Sequence, residues 1–85
     1  MALSDSNNNH YKTSDTALTA YLQTEGYAIL DLDASTQRAT FTINISESDP
    51  KLVELVGLFY AGRARVEPTT FLRNYRILSR QAREG

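Results

Sequence analysis

Arg38-Ala-Thr-Phe-Thr-Ile-Asn-Ile45, RATFTINI, alternates apolar and polar residues without a break. Ala39, Phe41, Ile43 and Ile45 fall on one side, and Thr40, Thr42 and Asn44 on the other. A period of two belongs to a half-buried β-strand. Just upstream, YAILDLD (27–33) reads as a second strand. Strict alternation puts Ala28, Leu30 and Leu32 on one face and Tyr27, Ile29 and Asp31 on the other. The intervening DASTQ (33–37) is polar turn material, which makes the pair an antiparallel hairpin. Two strands alone are not stable in water, so helices must cover the apolar face.

Helical signals lie on both sides of the hairpin. Upstream, Ala17, Leu18, Tyr21 and Leu22 share one apolar face at helical spacing. Thr13 or Ser14 is the expected cap, Asp15 sits in the first turn, and Gly26 supplies the left-handed stop. Downstream, ESDPKLVELVGLFYAG (47–62) opens with Ser48 or Asp49 as cap and Pro50 at the first helical position. Leu52, Leu55, Val56, Phe59 and Tyr60 then follow the i, i+3, i+4, i+7, i+8 pattern, and Gly62 ends the helix. Pro68 opens a third helix whose apolar side is Phe71, Leu72, Tyr75, Leu78 and Ala82. Residues 1–12 are polar, rich in Ser and Asn, and are expected to form a disordered tail. The expected fold is therefore a small single α+β domain over residues 13–85. An antiparallel β-hairpin packs against three helices in the order αββαα.

Composition removes several kinds of function. A chain of 85 residues is one domain that buries roughly 60–65% of its unfolded surface, so its core is thin. There is no cysteine, hence no disulfide framework and no thiolate metal site. The first ten residues show neither a basic n-region nor an apolar h-region, so no secretory signal is expected. No apolar run approaches the roughly 20 residues that span a bilayer. A cytoplasmic protein without a membrane partner is the expectation.

Catalytic constellations are missing as well. His10 is the only histidine and lies in the expected tail, whereas a Ser-His-Asp triad needs a rigidly held base. Structural zinc sites take four N or S ligands in most cases, which one histidine cannot supply. Asp31 and Asp33, two apart on a strand, share a face and bring Mg²⁺ to mind. No glycine-rich phosphate loop accompanies them, so Asp33 is better read as opening the turn and Asp31 as facing water. Glu47 and Asp49 are read as helix-start residues. No catalytic residue, metal site, cofactor or small-molecule substrate is expected.

The charge is unevenly spread. Residues 1–62 carry 3 basic and 8 acidic side chains, a net of −5; residues 63–85 carry 6 arginines and 2 glutamates, a net of +4. Such an imbalance marks either a polyanion-binding end or an acidic–basic self-contact. On a helical wheel of FLRNYRILSRQAREG (71–85) with Phe71 at zero, Leu78, Ala82, Tyr75 and Leu72 lie within about 100° of it on one side. Arg73, Arg76, Arg80 and Arg83 fall between about 120° and 200°, opposite that side. Arg63 and Arg65 lie in the preceding loop. Arginine offers five donors in a rigid fork suited to phosphate and guanine edges, and a helix that carries a row of them suits a groove. Nucleic acid is the first choice of partner.

Two other readings stay open. A surface helix needs a polar face, and late basic residues favour the helix dipole. The overall pI of about 5.7 is also low for a nucleic-acid binder, and no aromatic is interleaved with the stripe for base stacking. Ile77, near 240° on the wheel, together with Phe59 and Tyr60, instead suggests a protein interface or homodimer.

TSD at Thr13–Asp15, AYLQTEGY (20–27), ATFTI (39–43) and VEPTTFLRNYRIL (66–78) form a recurring order of features. In it the chain resembles, over about residues 11–82, a family of short uncharacterised bacterial and phage proteins catalogued as a domain of unknown function. The resemblance implies an α+β fold and a mobile-element setting. It brings no activity and no catalytic residues.

Overall fold

The computed structural model describes residues 10–35 and 38–84. The elements are β1 (His10–Thr13), α1 (Thr16–Thr24), β2 (Ile29–Asp33), β3 (Thr40–Ser46), α2 (Pro50–Tyr60) and α3 (Pro68–Glu84). This is a small α+β domain with a three-stranded antiparallel sheet and three helices. The hairpin of β2 and β3 and the three helices stand where the periodicity puts them. The sheet holds one strand more than expected, and the order is βαββαα.

The extra strand comes from the segment expected as tail. His10–Thr13 pairs with β3, which becomes the central strand in the order β1-β3-β2. Tyr11 lies opposite Ile43 and Thr13 opposite Phe41, so both share the buried face, while Lys12 stands exposed opposite Thr42. Tyr11 packs against the core. The remainder of the expected tail, residues 1–9, lies outside the described residues.

On the other edge, a bulge corrects the expected facing of β2. Ile29 is opposite Ile43 and Leu32 opposite Phe41, so three steps along β2 match two along β3. Ile29 and Leu32 both pack on the core, and Leu30 is left 50% exposed. Strict alternation fails because a bulge inserts one unpaired residue and resets the faces beyond it.

The buried face of the sheet presents Phe41, Ile43 and Ile45 to Leu18, Tyr21 and Leu22 of α1, Leu52 and Leu55 of α2, and Leu78 of α3. The α1 cap is Asp15 rather than Thr13 or Ser14. Its Oδ1 accepts from the Leu18 amide at 3.0 Å, and its Oδ2 accepts the Tyr60 hydroxyl at 2.7 Å. Thr13 and Ser14 are used otherwise: Thr13 Oγ1 accepts from the Asp15 amide, and the Ser14 and Thr40 hydroxyls share a 3.4 Å hydrogen bond. Asp49 caps α2 with Pro50 at its start. Gly26 and Gly62 end α1 and α2 with φ of 107° and 73°, values costly for any residue with a Cβ.

Candidate nucleic-acid interface

The 17 residues of α3 run about 25 Å, and the start is fixed by Glu67. Glu67 Oε1 accepts from the Thr70 amide and hydroxyl, both at 2.7 Å, and Oε2 accepts from the Thr69 amide at 3.1 Å. These bonds favour the carboxylate, so the Glu67 carboxyl is held below its usual range, the Thr70 hydroxyl being the largest cause. Pro68 follows at the first helical position, where no amide is needed.

α3 packs chiefly on α1. Leu78 is buried, and Phe71 and Ala82 pack against the core. The expected stripe, however, is turned. Leu72 is 46% and Tyr75 39% exposed. The half-buried residue on the other flank is Asn74, whose Nδ2 donates to Thr24 Oγ1 at 3.0 Å. Thr24 Oγ1 in turn donates to the Ala20 carbonyl at 2.7 Å. The inward side of α3 is centred on Leu78 and takes in Asn74, whose bond to Thr24 satisfies its amide there. A polar side chain with a partner takes a place on the inward side, and Tyr75 is left exposed on the solvent side together with the arginines.

Two shallow grooves, both lined by side chains of α3 itself, run along its outer side. One is lined by Thr69, Leu72, Arg73, Arg76, Ile77 and Arg80. The other is lined by Tyr75, Arg76, Ser79, Arg80 and Arg83. All four arginines are exposed. Among the described residues no carboxylate pairs with Arg73, Arg76, Arg80 or Arg83 within 4.0 Å, so none there neutralises the row. Guanidinium groups so placed keep their forks free for an anion.

Arg63 and Arg65 stand in the extended connector between α2 and α3. Ala64 and Val66 turn inward onto the core and the two arginines turn outward, but neither lines the α3 grooves. The three residues read as a protein interface also separate. Phe59 packs inward, its ring stacked on Tyr21 at 5.6 Å. Tyr60 is 61% exposed but committed through its hydroxyl to Asp15, which raises its pKa to about 12. Ile77 is 42% exposed and lies in the first arginine groove.

Elsewhere, a larger concavity of about 650 Å³ lies on the side of the sheet that carries His10, Lys12, Leu30, Asp31, Thr42 and Glu47. One lysine among two carboxylates gives it no consistent charge for an anion. Asp33 opens the turn after β2: its Oδ1 accepts the Ser35 hydroxyl at 2.6 Å and the Ser35 amide at 3.0 Å, and these bonds lower its pKa. No three metal-ligating side chains cluster among the described residues. No helix there is long and apolar enough to cross a membrane.

Sequence reasoning did not find Tyr75 as a member of the arginine face. The available signal was Asn74, a residue able to hydrogen-bond on the flank of an otherwise apolar stripe. Compared with known proteins, the chain matches no protein-family model, no curated protein and no solved structure.

Proposed function

We propose that the chain is a small non-enzymatic binding module that contacts nucleic acid through the outer face of α3. The observation that carries this reading is the row Arg73, Arg76, Arg80 and Arg83, exposed along one helix with no carboxylate partner among the described residues. Four unpaired guanidinium groups at intervals of three and four residues form a linear cationic strip, the complement of a phosphate backbone. Arg63 and Arg65 add charge from the connector that leads into the helix. The bacterial or phage mobile-element setting that the resemblance implies, and a cytoplasmic location, agree with this reading.

The test is fluorescence anisotropy with labelled duplex and single-stranded oligonucleotides. Wild type is compared with a variant carrying Arg73→Gln, Arg76→Gln and Arg80→Gln. Wild type binds and the variant loses at least about tenfold in affinity, since three phosphate contacts are removed. No binding by wild type at low salt sinks the reading.

A second reading rests on Leu72 and Ile77, which share a groove with Arg73, Arg76 and Arg80. Apolar residues flanking a cationic row suit an acidic, amphipathic protein surface or a second copy of this chain. Light scattering that shows a dimer whose affinity depends little on salt favours this alternative.

A further inference from the structure

The second groove differs from a plain cationic strip because it includes an aromatic ring. Tyr75 is 39% exposed and shares the groove with Arg76, Ser79, Arg80 and Arg83. Its inner side rests on Phe71, the two rings nearly parallel at 13° with centroids 6.2 Å apart. Phe71 is partly buried and packs against the core, so Tyr75 has a core-supported ring beside it. The Asn74–Thr24 bond holds the Asn74 flank of α3 against α1, and Tyr75 stays exposed. Arg76 and Arg80 are one turn apart, about 6 Å along the axis, with Arg83 a further turn on.

Resting on the nucleic-acid reading above, we propose that the occupant of this groove is single-stranded nucleic acid. One base stacks on Tyr75 and the neighbouring phosphates lie on Arg76, Arg80 and Arg83. The exposed ring is what favours a single strand. A duplex keeps its bases stacked on one another and offers Tyr75 no free face, whereas every unpaired base presents one. The fork of each arginine takes phosphate oxygens in pairs, and Ser79 adds a hydroxyl between ring and cations. Stacking tolerates any base, so the site discriminates strandedness more than sequence.

The experiment compares a labelled short oligothymidylate, the matching oligouridylate and a duplex of the same length. The proteins are wild type, Tyr75→Leu, Tyr75→Phe and Arg76→Gln/Arg80→Gln, each checked for its helical signal by circular dichroism. Tyr75→Leu is expected to weaken both single strands between about 5- and 150-fold and to leave duplex binding unchanged. Tyr75→Phe keeps the stacking ring and restores wild-type affinity. Arg76→Gln/Arg80→Gln weakens every probe. As a measure that needs no variant, oligothymidylate should shift the Tyr75 ring protons of wild type. Single-strand affinity unchanged in Tyr75→Leu, or equal losses on single strand and duplex, overturns the stacking site while leaving the arginine face intact. No binding of any probe by wild type overturns both.

Discussion

Removal of the Asp15 side chain tests how the helices are held together. Asp15 Oδ1 caps α1 at 3.0 Å from the Leu18 amide, and Oδ2 holds the Tyr60 hydroxyl at the end of α2 at 2.7 Å. Loss of the cap in Asp15→Ala costs about 1 kcal/mol. A hydroxyl bonded to a carboxylate contributes up to about 3 kcal/mol, but Tyr60 is 61% exposed and water competes, so about 1 kcal/mol is the working value. Asp15→Ala should therefore destabilise by about 2 kcal/mol, or roughly 8–16 °C in Tm for a domain of this size. Tyr60→Phe should cost about 1 kcal/mol, and the double variant no more than Asp15→Ala alone. Urea denaturation followed by circular dichroism gives all three values. The pH profile supplies an independent check. The bond to Asp15 favours the protonated phenol and pushes the Tyr60 pKa up to about 12 from 10.0. A raised folded pKa means that the stabilisation is complete below pH 10 and is lost as pH rises through 12. The difference in stability between wild type and Tyr60→Phe should shrink over that window. Additive effects in the double variant, or a difference that does not change with alkaline pH, would refute the bridging role.

Three further outcomes follow from the same geometry. Glu67 holds the first amides of α3 as a carboxylate with a lowered pKa, so this contribution is present above the ordinary glutamate range and lost as pH falls through the folded value. The protection factors of the Thr69 and Thr70 amides, that is, exchange corrected for its intrinsic pH dependence, should fall on acidification in wild type and be low at all pH values in Glu67→Ala. The bulge in β2 predicts that Leu30→Thr changes stability by less than about 0.5 kcal/mol, whereas Leu32→Ala costs about 2 kcal/mol by denaturant titration. Equal costs at the two positions would contradict the register. Asn74→Ala should cost about 1 kcal/mol, because the Thr24 hydroxyl keeps its bond to the Ala20 carbonyl and is not left orphaned.

Local physics made much of this fold readable. The unbroken alternation of Ala39–Ile45 marked β3, and Pro50, Gly62 and Pro68 bounded α2 and started α3 at the observed places. Features set by tertiary pairing were not readable. His10–Thr13 has four residues and an exposed lysine, and it is a strand because β3 offers it a free edge. The reversal at Leu30 depends on a bulge that hydrophobicity does not encode. Asp15 outcompetes Thr13 and Ser14 as cap because Tyr60, 45 positions away, takes its second oxygen. The arginine row was legible since a helix with one apolar side fixes its opposite. The aromatic beside it was hidden because Tyr75 counts as core by type, and only the partner of Asn74 shows which way the helix turns.

The most direct measurement is the affinity of the wild-type chain for oligothymidylate across a salt series. With Arg73 added to the three arginines of the stacking groove, four phosphate contacts on a single strand release counterions with a log–log slope of about −2.8, so affinity falls about 50-fold between about 50 and 200 mM salt. Arg76→Gln/Arg80→Gln should halve that slope. A slope near zero, or the same slope in wild type and variant, would show that the outer face of α3 does not hold phosphates.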